Sequence, residues 1–440
     1  MRSKGVRFQP RLRVRANPSD IALSHLMHPS WFKTRRYRHF DVPVGASFLS
    51  NASNEVFVSK HSWLPLIHYI KRQKRYKPKD NKTVYKDRDI MFAGHRDACI
   101  LSKYAHDLNQ LLEVFYKTST LNNSVVAYRK LGRANHDFSA EAATFARSIS
   151  PCRVLCFDIS GFFDHLDHGI LKARLRNILN VAEIPKHWYS VFRAVTRYSK
   201  VDLKDLLDHP VIGRKMRDRS KPLIAPVSEV VSSGIPIHKN PNSYGVPQGS
   251  PISSTFSNLY MIDLDVVMTK ICAEAGARYL RYSDDILIIC PSEVEGILTS
   301  ALQAEVAFHK LELKAEKCEQ ITFDASLPTT FQYLGFDVSY DGALIRASSL
   351  SRQWRKLRRN IAHAERLKIR LSEAGAGEKI YTRKLRRKFS PLGIRNFSLY
   401  ARHAANSLQS KQVVKQVRRL EQFADRKIRA LNKADAPETK

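Results

Sequence analysis

Arg281-Tyr282-Ser283-Asp284-Asp285 places two adjacent acids between Arg278-Tyr279-Leu280 and the apolar run Ile286-Leu287-Ile288-Ile289. β-Branched and aromatic residues on both sides predict two strands of a hairpin with the carboxylates at its tip. Like charges held that close need a counter-charge, and carboxylates in apolar surroundings are normally paired or bound to metal. Oxygen donors of this kind ask for hard divalent cations such as Mg²⁺. A turn that uses Asp only for local hydrogen bonds is the plainer alternative. A second acidic strand decides between them. In Val154-Leu155-Cys156-Phe157-Asp158-Ile159-Ser160-Gly161-Phe162-Phe163-Asp164, an apolar strand delivers Asp158 at its end and enters a Gly-containing turn before a helical run from about Leu166. Two metal ions about 3.5–4 Å apart can clamp the attacking and leaving oxygens of a phosphoryl transfer when carboxylates converge from separate strands. Asp158 and Asp284 are the candidates, with Asp285 beside them.

Phe157-Asp158 through Phe163 resembles the first catalytic block of the reverse transcriptases, and Tyr282-Ser283-Asp284-Asp285 resembles their Tyr-x-Asp-Asp block. Between the two lies Tyr244-Gly245-Val246-Pro247-Gln248-Gly249-Ser250-Pro251, similar to the family's Pro-Gln-Gly loop and the most specific match in the chain. The resemblance implies a right-hand polymerase of fingers, palm and thumb, an α+β fold with an antiparallel palm sheet and a helical basic thumb. It makes Asp158, Asp284 and Asp285 the catalytic acids, two Mg²⁺ ions the cofactors, and Ile159 a member of the metal-binding set. Arg129 takes the place of the basic residue that meets the incoming triphosphate, with Lys130 and Arg133 as helpers; a guanidinium suits phosphate because it offers forked donors. Phe163 takes the place of the bulky residue that excludes a ribose 2′-hydroxyl, leaving Phe162 to pack inward. Gln248 belongs to the nucleotide and template pocket, Lys317 is a proton donor to pyrophosphate, and Phe331-Gln332-Tyr333-Leu334-Gly335-Phe336 resembles the block that holds the primer end.

Composition agrees with a polyphosphate partner. The 440 residues carry 74 Lys and Arg against 41 Asp and Glu, a formal charge of +33, far beyond what solubility needs. No apolar run reaches the roughly 18 to 20 residues of a membrane span, and Met1–Asp20 lacks the apolar core of a secretory signal, so the expectation is a cytoplasmic protein without a membrane partner. Six cysteines without Cys-x-x-Cys spacing read as reduced, structural thiols and no zinc site.

Along the chain, Arg2, Lys4, Arg7, Arg11, Arg13 and Arg15 form a basic arm that reads either as a solvated tail or as an arm that tracks a nucleic-acid backbone. Trp31 and Phe32 suit either stacking on RNA or anchoring to the core. Lys71–Arg88 reads as an exposed charged loop, Ala98–Tyr116 as a helix, and Lys200–Pro241, rich in Pro, Asp and Arg, as an irregular excursion. Asp164 and Asp167 read as helix-start acids. Phe256–Lys270 and Ser292 to about Lys310 have helical spacing, the first predicting one long palm helix. Beyond Arg346, Trp354, Leu357, Ile361, Ala364 and Leu367 recur at helical spacing while Arg352, Arg355, Arg358 and Arg359 occupy other faces. Arg386 and Arg387 extend that basic surface, which can track a nucleic-acid backbone.

The expected organisation is a basic N-terminal extension over residues 1–88, fingers and palm over 89–345, and a helical thumb over 346–440. The expected activity is RNA-directed DNA polymerisation from dNTPs on an RNA template, giving a DNA product. The chain most resembles stand-alone bacterial reverse transcriptases, including the defence-associated ones that act against phage. Three alternatives stay open from sequence: an RNA-templated RNA polymerase, a non-catalytic RNA-binding protein with a vestigial palm, and a retron or mobile-element enzyme.

Overall fold

The computed structural model describes residues 28–77, 81–375, 380–391 and 393–431; the basic arm over Met1–Arg15 lies outside them. These residues include thirteen strands, several of them consecutive without a helix between: β1 (Leu66–Ile70), β2 (Gln73–Lys77), β3 (Lys82–Lys86), β4 (Asp89–Phe92), β5 (Cys152–Asp158), β6 (Ser199–Asp202), β7 (His238–Lys239), β8 (Arg278–Tyr282), β9 (Asp285–Cys290), β10 (Glu319–Phe323), β11 (Phe331–Tyr333), β12 (Phe336–Ser339) and β13 (Gly342–Ile345). The chain divides into two compact units. One takes the residues up to Asn122 with Ile159–Val266 and Ala304–Glu312; the other takes Asn123–Asp158, Val267–Gln303 and the residues from Leu313 onward.

The first unit holds a mixed sheet in the order β4-β1-β6-β7, with β1 antiparallel to β4 and parallel to β6. His68 of β1 sits between two acids of its neighbouring strands, with Nε2 2.7 Å from Asp89 and Nδ1 against Asp202. The helix His95–Thr118 starts at Gly94, and the remote Asp41 carboxylate accepts from its first amides, His95 and Arg96, at 2.7 and 2.8 Å. Such a cap satisfies donors that the helix itself leaves orphaned.

Two expectations for this unit are corrected. Lys71–Arg88 is a hairpin, β2 against β3, in which Gln73 is paired with Lys86 and Lys74 with Tyr85. Its base is held by Arg72 and Asp87, exposed and 2.6 Å apart. Charged residues crowd β2 and bracket β3, hiding strands whose apolar content is confined to a few residues, and such a two-stranded ribbon gains little from burial. Lys200–Pro241 is likewise ordered: β6, helices Leu203–Asp208, Pro210–Arg217 and Val227–Ser232, and β7 surround their own core of Phe40, Ile67, Val201, Leu206, Ile212 and Val230.

The second unit carries the acidic strands. Its four-stranded sheet, in the order β10-β5-β9-β8, is antiparallel throughout. β9 lies between β5 and β8, and Ile286, Leu287, Ile288 and Ile289 are all buried, which explains a continuous apolar run in place of alternation. Each such side chain stabilises the fold by roughly 1.5–3 kcal/mol relative to an exposed position. Helix Asn135–Ser148 covers one face through Phe138, Ala142 and Ala146, in a core that continues into the three-stranded sheet β11-β12-β13. In the C-terminal helices Ala347–Glu373, Arg383–Phe389 and Lys411–Ala430, Leu357, Ile361, Phe389, Leu420, Ala424 and Ile428 form a separate cluster. The predicted long palm helix is two helices, Ser253–Tyr260 and Ile262–Glu274, broken at the buried Met261, whose ψ of −1° leaves the regular helical range. The sequence spacing survives this break because the residues on both sides remain close to helical.

All six cysteines are free and buried or half-buried. Among the described residues no helix is long and apolar enough to cross a membrane.

Candidate active site

β8 and β9 form the expected hairpin, with Tyr282 paired to Asp285 and only Ser283 and Asp284 in the turn. The same Asp285 is paired to Asp158, the last residue of β5. Residues directly opposite in an antiparallel sheet point to the same face with Cβ atoms about 4.5–5.5 Å apart. Tyr282, Asp285 and Asp158 therefore form one row on one face, and Asp284 adjoins it at the turn. Asp158 and Asp284 are half-buried and Asp285 is exposed, so the row lies at the rim of the sheet. Lys314 donates its amide to the Asp158 carbonyl at 2.8 Å, fixing the end of β5. Ile159 follows directly with its side chain buried.

The turn is held from beneath and from the side. Arg281 points away from the acid row and is fully buried; its guanidinium donates to the Ser283 carbonyl at 3.2 Å. Its backbone is tied to the segment before Arg129, with Arg281 N–H to Ser124 O at 2.8 Å and Val126 N–H to Arg281 O at 3.1 Å. Tyr128 and Ser283 both adopt a left-handed backbone, φ +62° each, and their hydroxyls lie 3.0 Å apart. Left-handed conformations cost a side-chain-bearing residue of order 1–3 kcal/mol and persist where surrounding structure imposes them. Burial pushes the Tyr128 phenol up, Ser283 opposes the shift, and the nearby Asp284 adds to it. Tyr128 and Arg281 thus position the acid-bearing turn, and the left-handed contact has no sequence signal, because neither Tyr nor Ser marks a left-handed position.

The donor set fits hard divalent cations. Three carboxylates supply oxygen ligands, and the thiols close by are poor competitors. Burial, with Glu319 and Asp285, pushes Cys156 up to about 12, and burial with Asp158 pushes Cys318 up. Opposed like charges at Asp158 and Asp285 also favour a bound cation. Among the described residues, one group of three side chains has ligand atoms all within 4.8 Å, and it is Asp202, Asp205 and His238. Asp202 there is already engaged by His68. The acid row is wider, as a pair of ions about 3.5–4 Å apart requires.

Other residues named from sequence are placed as follows. Arg129 is half-buried and donates to the Val125 carbonyl at 2.7 Å, Lys130 and Arg133 are exposed, and Arg133 pairs with Glu141 at 2.7 Å. Lys317 closes the short 3-10 turn Ala315–Lys317. In the first unit, Phe162 is buried while Phe163 is half-exposed. Gln248 accepts from the Met91 amide at 2.8 Å through its carbonyl, and its side chain is hydrogen-bonded to Asp164. Desolvation and Asp89 push the Asp164 carboxyl up against the opposing pull of His165 and Gln248, although part of the residue reaches solvent. Asp167 caps the helix His168–Ile178, accepting from Gly169 and Ile170 at 2.9 Å. Gly245 and Gly249, with φ of +87° and +109°, approach the chain's own backbone; a Cβ would lie 2.9 Å from the Asp164 carbonyl oxygen and 2.6 Å from that of Met91. Any larger residue there would displace the Pro-Gln-Gly loop.

Arg352, Arg355, Arg358 and Arg359 are exposed on the helix Ala347–Glu373, and Arg387 is exposed on Arg383–Phe389. Arg358 lies over Trp354 at 5.7 Å, and Arg386 pairs with Asp425 at 3.5 Å.

An antiparallel sheet with in-register acids on one face is the arrangement on which a polymerase palm works. The profile of the family described as reverse transcriptase (RNA-dependent DNA polymerase) matches residues 86–338, more than half of the chain. The chain belongs to the reverse transcriptase family, and through it to the right-hand polymerases. Among curated proteins none matches the sequence. Similar solved structures include a Candida tropicalis telomerase truncated from its C-terminal domain, 14% identical over 62% of this chain and 53% of that one, TM-score 0.42. A Candida albicans telomerase in complex with a TWJ fragment of telomeric RNA is 12% identical over 89% and 68%, TM-score 0.45. The RNA-dependent RNA polymerase of a human picobirnavirus is 11% identical over 84% and 59%, TM-score 0.45. The chain thus spans 53–68% of the lengths of these structures, and no conclusion below rests on them.

Proposed function

We propose that the chain is an RNA-directed DNA polymerase in which Asp158, Asp284 and Asp285 hold two Mg²⁺ ions. The register of β5 against β9 carries this reading, because it sets Asp158 and Asp285 directly opposite one another with Asp284 in the adjoining turn. Ions bound there supply the clamp on the attacking and leaving oxygens. The remaining work falls to the chain's own groups. Arg129, with Lys130 beside it, offers donors to the triphosphate, Gln248 contacts the nucleotide or template, and Lys317 gives a proton to the departing pyrophosphate. Phe163 selects dNTPs by excluding a 2′-hydroxyl. The organisation that goes with this reading is an N-terminal extension over 1–88, fingers and palm over 89–345, and a thumb over 346–440.

The biological reading is that the enzyme copies a dedicated non-coding RNA in the bacterial cytoplasm and that the DNA made limits phage growth. Its support is the resemblance to defence-associated reverse transcriptases; for the bound RNA it is also electrostatic, since a chain of formal charge +33 with exposed arginine faces can hold a structured RNA throughout synthesis. The test is expression with the native flanking sequence, phage challenge, and sequencing of bound RNA and new DNA. Protection that disappears in the Asp284→Ala, Asp285→Ala double variant, with DNA copied from one RNA, is the expected result. Protection that survives those changes, or DNA copied indiscriminately from cellular RNA, overturns the defence reading and leaves the polymerase standing.

A further inference from the structure

The first unit contains a cavity of about 580 Å³, lined in part by Lys172, Tyr189, Phe192, Arg193, Arg197 and Lys239. That volume lies within the range of small-ligand pockets, about 300–1,000 Å³. We infer that this cavity is a docking pocket for a single-stranded stretch of RNA, the four cations taking the phosphodiester and Tyr189 stacking on a base. The inference rests on the reading that this chain handles RNA.

Three observations carry it. First, the charge is uncompensated. Lys172, Arg193, Arg197 and Lys239 are exposed, and among the described residues none makes an ion pair with a carboxylate. Other cations of the same unit do: Arg174 with Asp263, Lys204 with Asp208, Lys215 with Glu229 and Lys310 with Asp167. Cations gathered on one cavity without acids repel one another, and a polyanion relieves that repulsion while releasing counterions. Arg193 and Arg197 sit at the end of the helix Lys186–Thr196, where its dipole favours positive charge, but Lys172 and Lys239 come from other elements.

Second, the aromatic is presented ready for use. Tyr189 is 41% exposed, its ring lies nearly parallel to that of Phe192 at 6.4 Å, and Lys172 Nζ stands 5.5 Å from its centroid. Phe192 is buried and backs the ring, and the Lys172 ammonium stands over it, where a base would meet ring and cation together. An exposed ring beside cations is the combination that single-stranded nucleic acid recognises, base on ring and backbone on charge, whereas free phosphate would need no ring.

Third, the cavity is built against the Pro-Gln-Gly loop. His168 donates its amide to the Ser243 carbonyl at 2.9 Å and lies 2.8 Å through Nε2 from the Gly245 carbonyl, while the buried Asn240 donates to the Thr196 and Tyr244 carbonyls at 2.9 and 3.2 Å. The floor of the pocket is thereby fastened to the loop that carries Gln248. This gives a function to the interval between the first catalytic block and the loop.

The test uses the full chain and a fluorescein-labelled 12-nucleotide unstructured RNA, with anisotropy read over a salt series and no nucleotide present. Tyr189→Ala should weaken binding about fivefold or more, and Tyr189→Phe should restore it, because stacking needs the ring and not the hydroxyl. Arg193→Gln with Lys239→Gln should reduce the slope of log affinity against log salt by about 1.4, near 0.7 per lost phosphate contact on a single strand. A 4-thiouridine version of the RNA should crosslink to the Lys186–Thr196 helix. Variants with wild-type melting temperatures that keep wild-type affinity and slope overturn the pocket, as does a Tyr189→Phe chain that binds as poorly as Tyr189→Ala. An effect confined to DNA of the same sequence also overturns it. In these cases wild-type RNA binding persists and the polymerase reading is untouched; a wild-type chain that binds no RNA overturns both.

Discussion

Asp158 and Asp285 face one another across β5 and β9, an arrangement that costs stability unless positive charge is brought to it. Two predictions follow from that cost. Mg²⁺ should stabilise the wild-type chain more than Asp285→Asn. Thermal melts with and without Mg²⁺ check this, and equal Mg²⁺ responses would remove the metal from the acid row. Asp158→Asn or Asp285→Asn should lower primer extension on RNA by about a thousandfold, as losing several kcal/mol of transition-state stabilisation requires, with RNA affinity nearly unchanged. Phe163→Ala tests sugar choice separately, and its expected outcome is a higher ratio of ribonucleotide to deoxynucleotide incorporation. An unchanged ratio moves the selecting residue elsewhere.

At the scale of elements, Asp137 shows how a helix is fastened to its neighbour. It stands in the first turn of Asn135–Ser148, accepts the Ala134 amide at 2.8 Å, and is bonded to Ser407 of the helix Phe397–Ser407 at 2.9 Å. Burial pushes its carboxyl up, but the Ala134 amide, Ser407 and His136 together hold it below the ordinary value of 3.8. Because the folded-state value is depressed, the stabilisation is present above 3.8 and is lost as pH falls through the lower folded value. Asp137→Ala should cost about 1–2 kcal/mol at pH 7, and the gap from wild type should close in denaturant titrations below pH 3.8. What the sequence disclosed follows the length of the elements. The β8–β9 hairpin, the 14-residue helix Glu295–Phe308 and the long amphipathic helix Ala347–Glu373 were legible, because each carries an unbroken apolar pattern. The helices of six to eight residues between Leu203 and Ser232 were not, since two turns are too short to display a period. The acids of the site were legible from their apolar flanks, but the left-handed Tyr128–Ser283 contact that positions them depends on tertiary packing and leaves no local mark.

For the whole molecule, charge is the dominant property, and its distribution separates grip from chemistry. Arg355, Arg358 and Arg359 lie on a helix whose opposite face, Leu357, Ile361 and Ala364, is buried in the C-terminal cluster, so their removal need not disturb that core. Among the described residues, the Arg355 and Arg359 guanidiniums donate only to the helix's own carbonyls, at Ser351 and Arg355, each at 3.4 Å. Arg386 differs, since Asp425 already takes part of its charge, and its loss should matter less. Replacing Arg355, Arg358 and Arg359 together with Gln, which keeps much of the stem that covers Trp354, should weaken template–primer binding at low salt. It should also flatten the dependence of log affinity on log salt by two to three units, about 0.9 per lost phosphate contact on a duplex. The apparent affinity for dNTP should not change, because counterion release belongs to the long polyanion, whereas Arg129→Ala should raise the apparent KM for dNTP and leave the salt slope alone. Measuring both variants by anisotropy over a salt series and by steady-state extension at saturating template–primer separates the two jobs. A dNTP defect in the triple variant with an unaltered salt slope would reverse the assignment, placing the arginines of this helix at the nucleotide and leaving the grip on RNA to other basic surfaces.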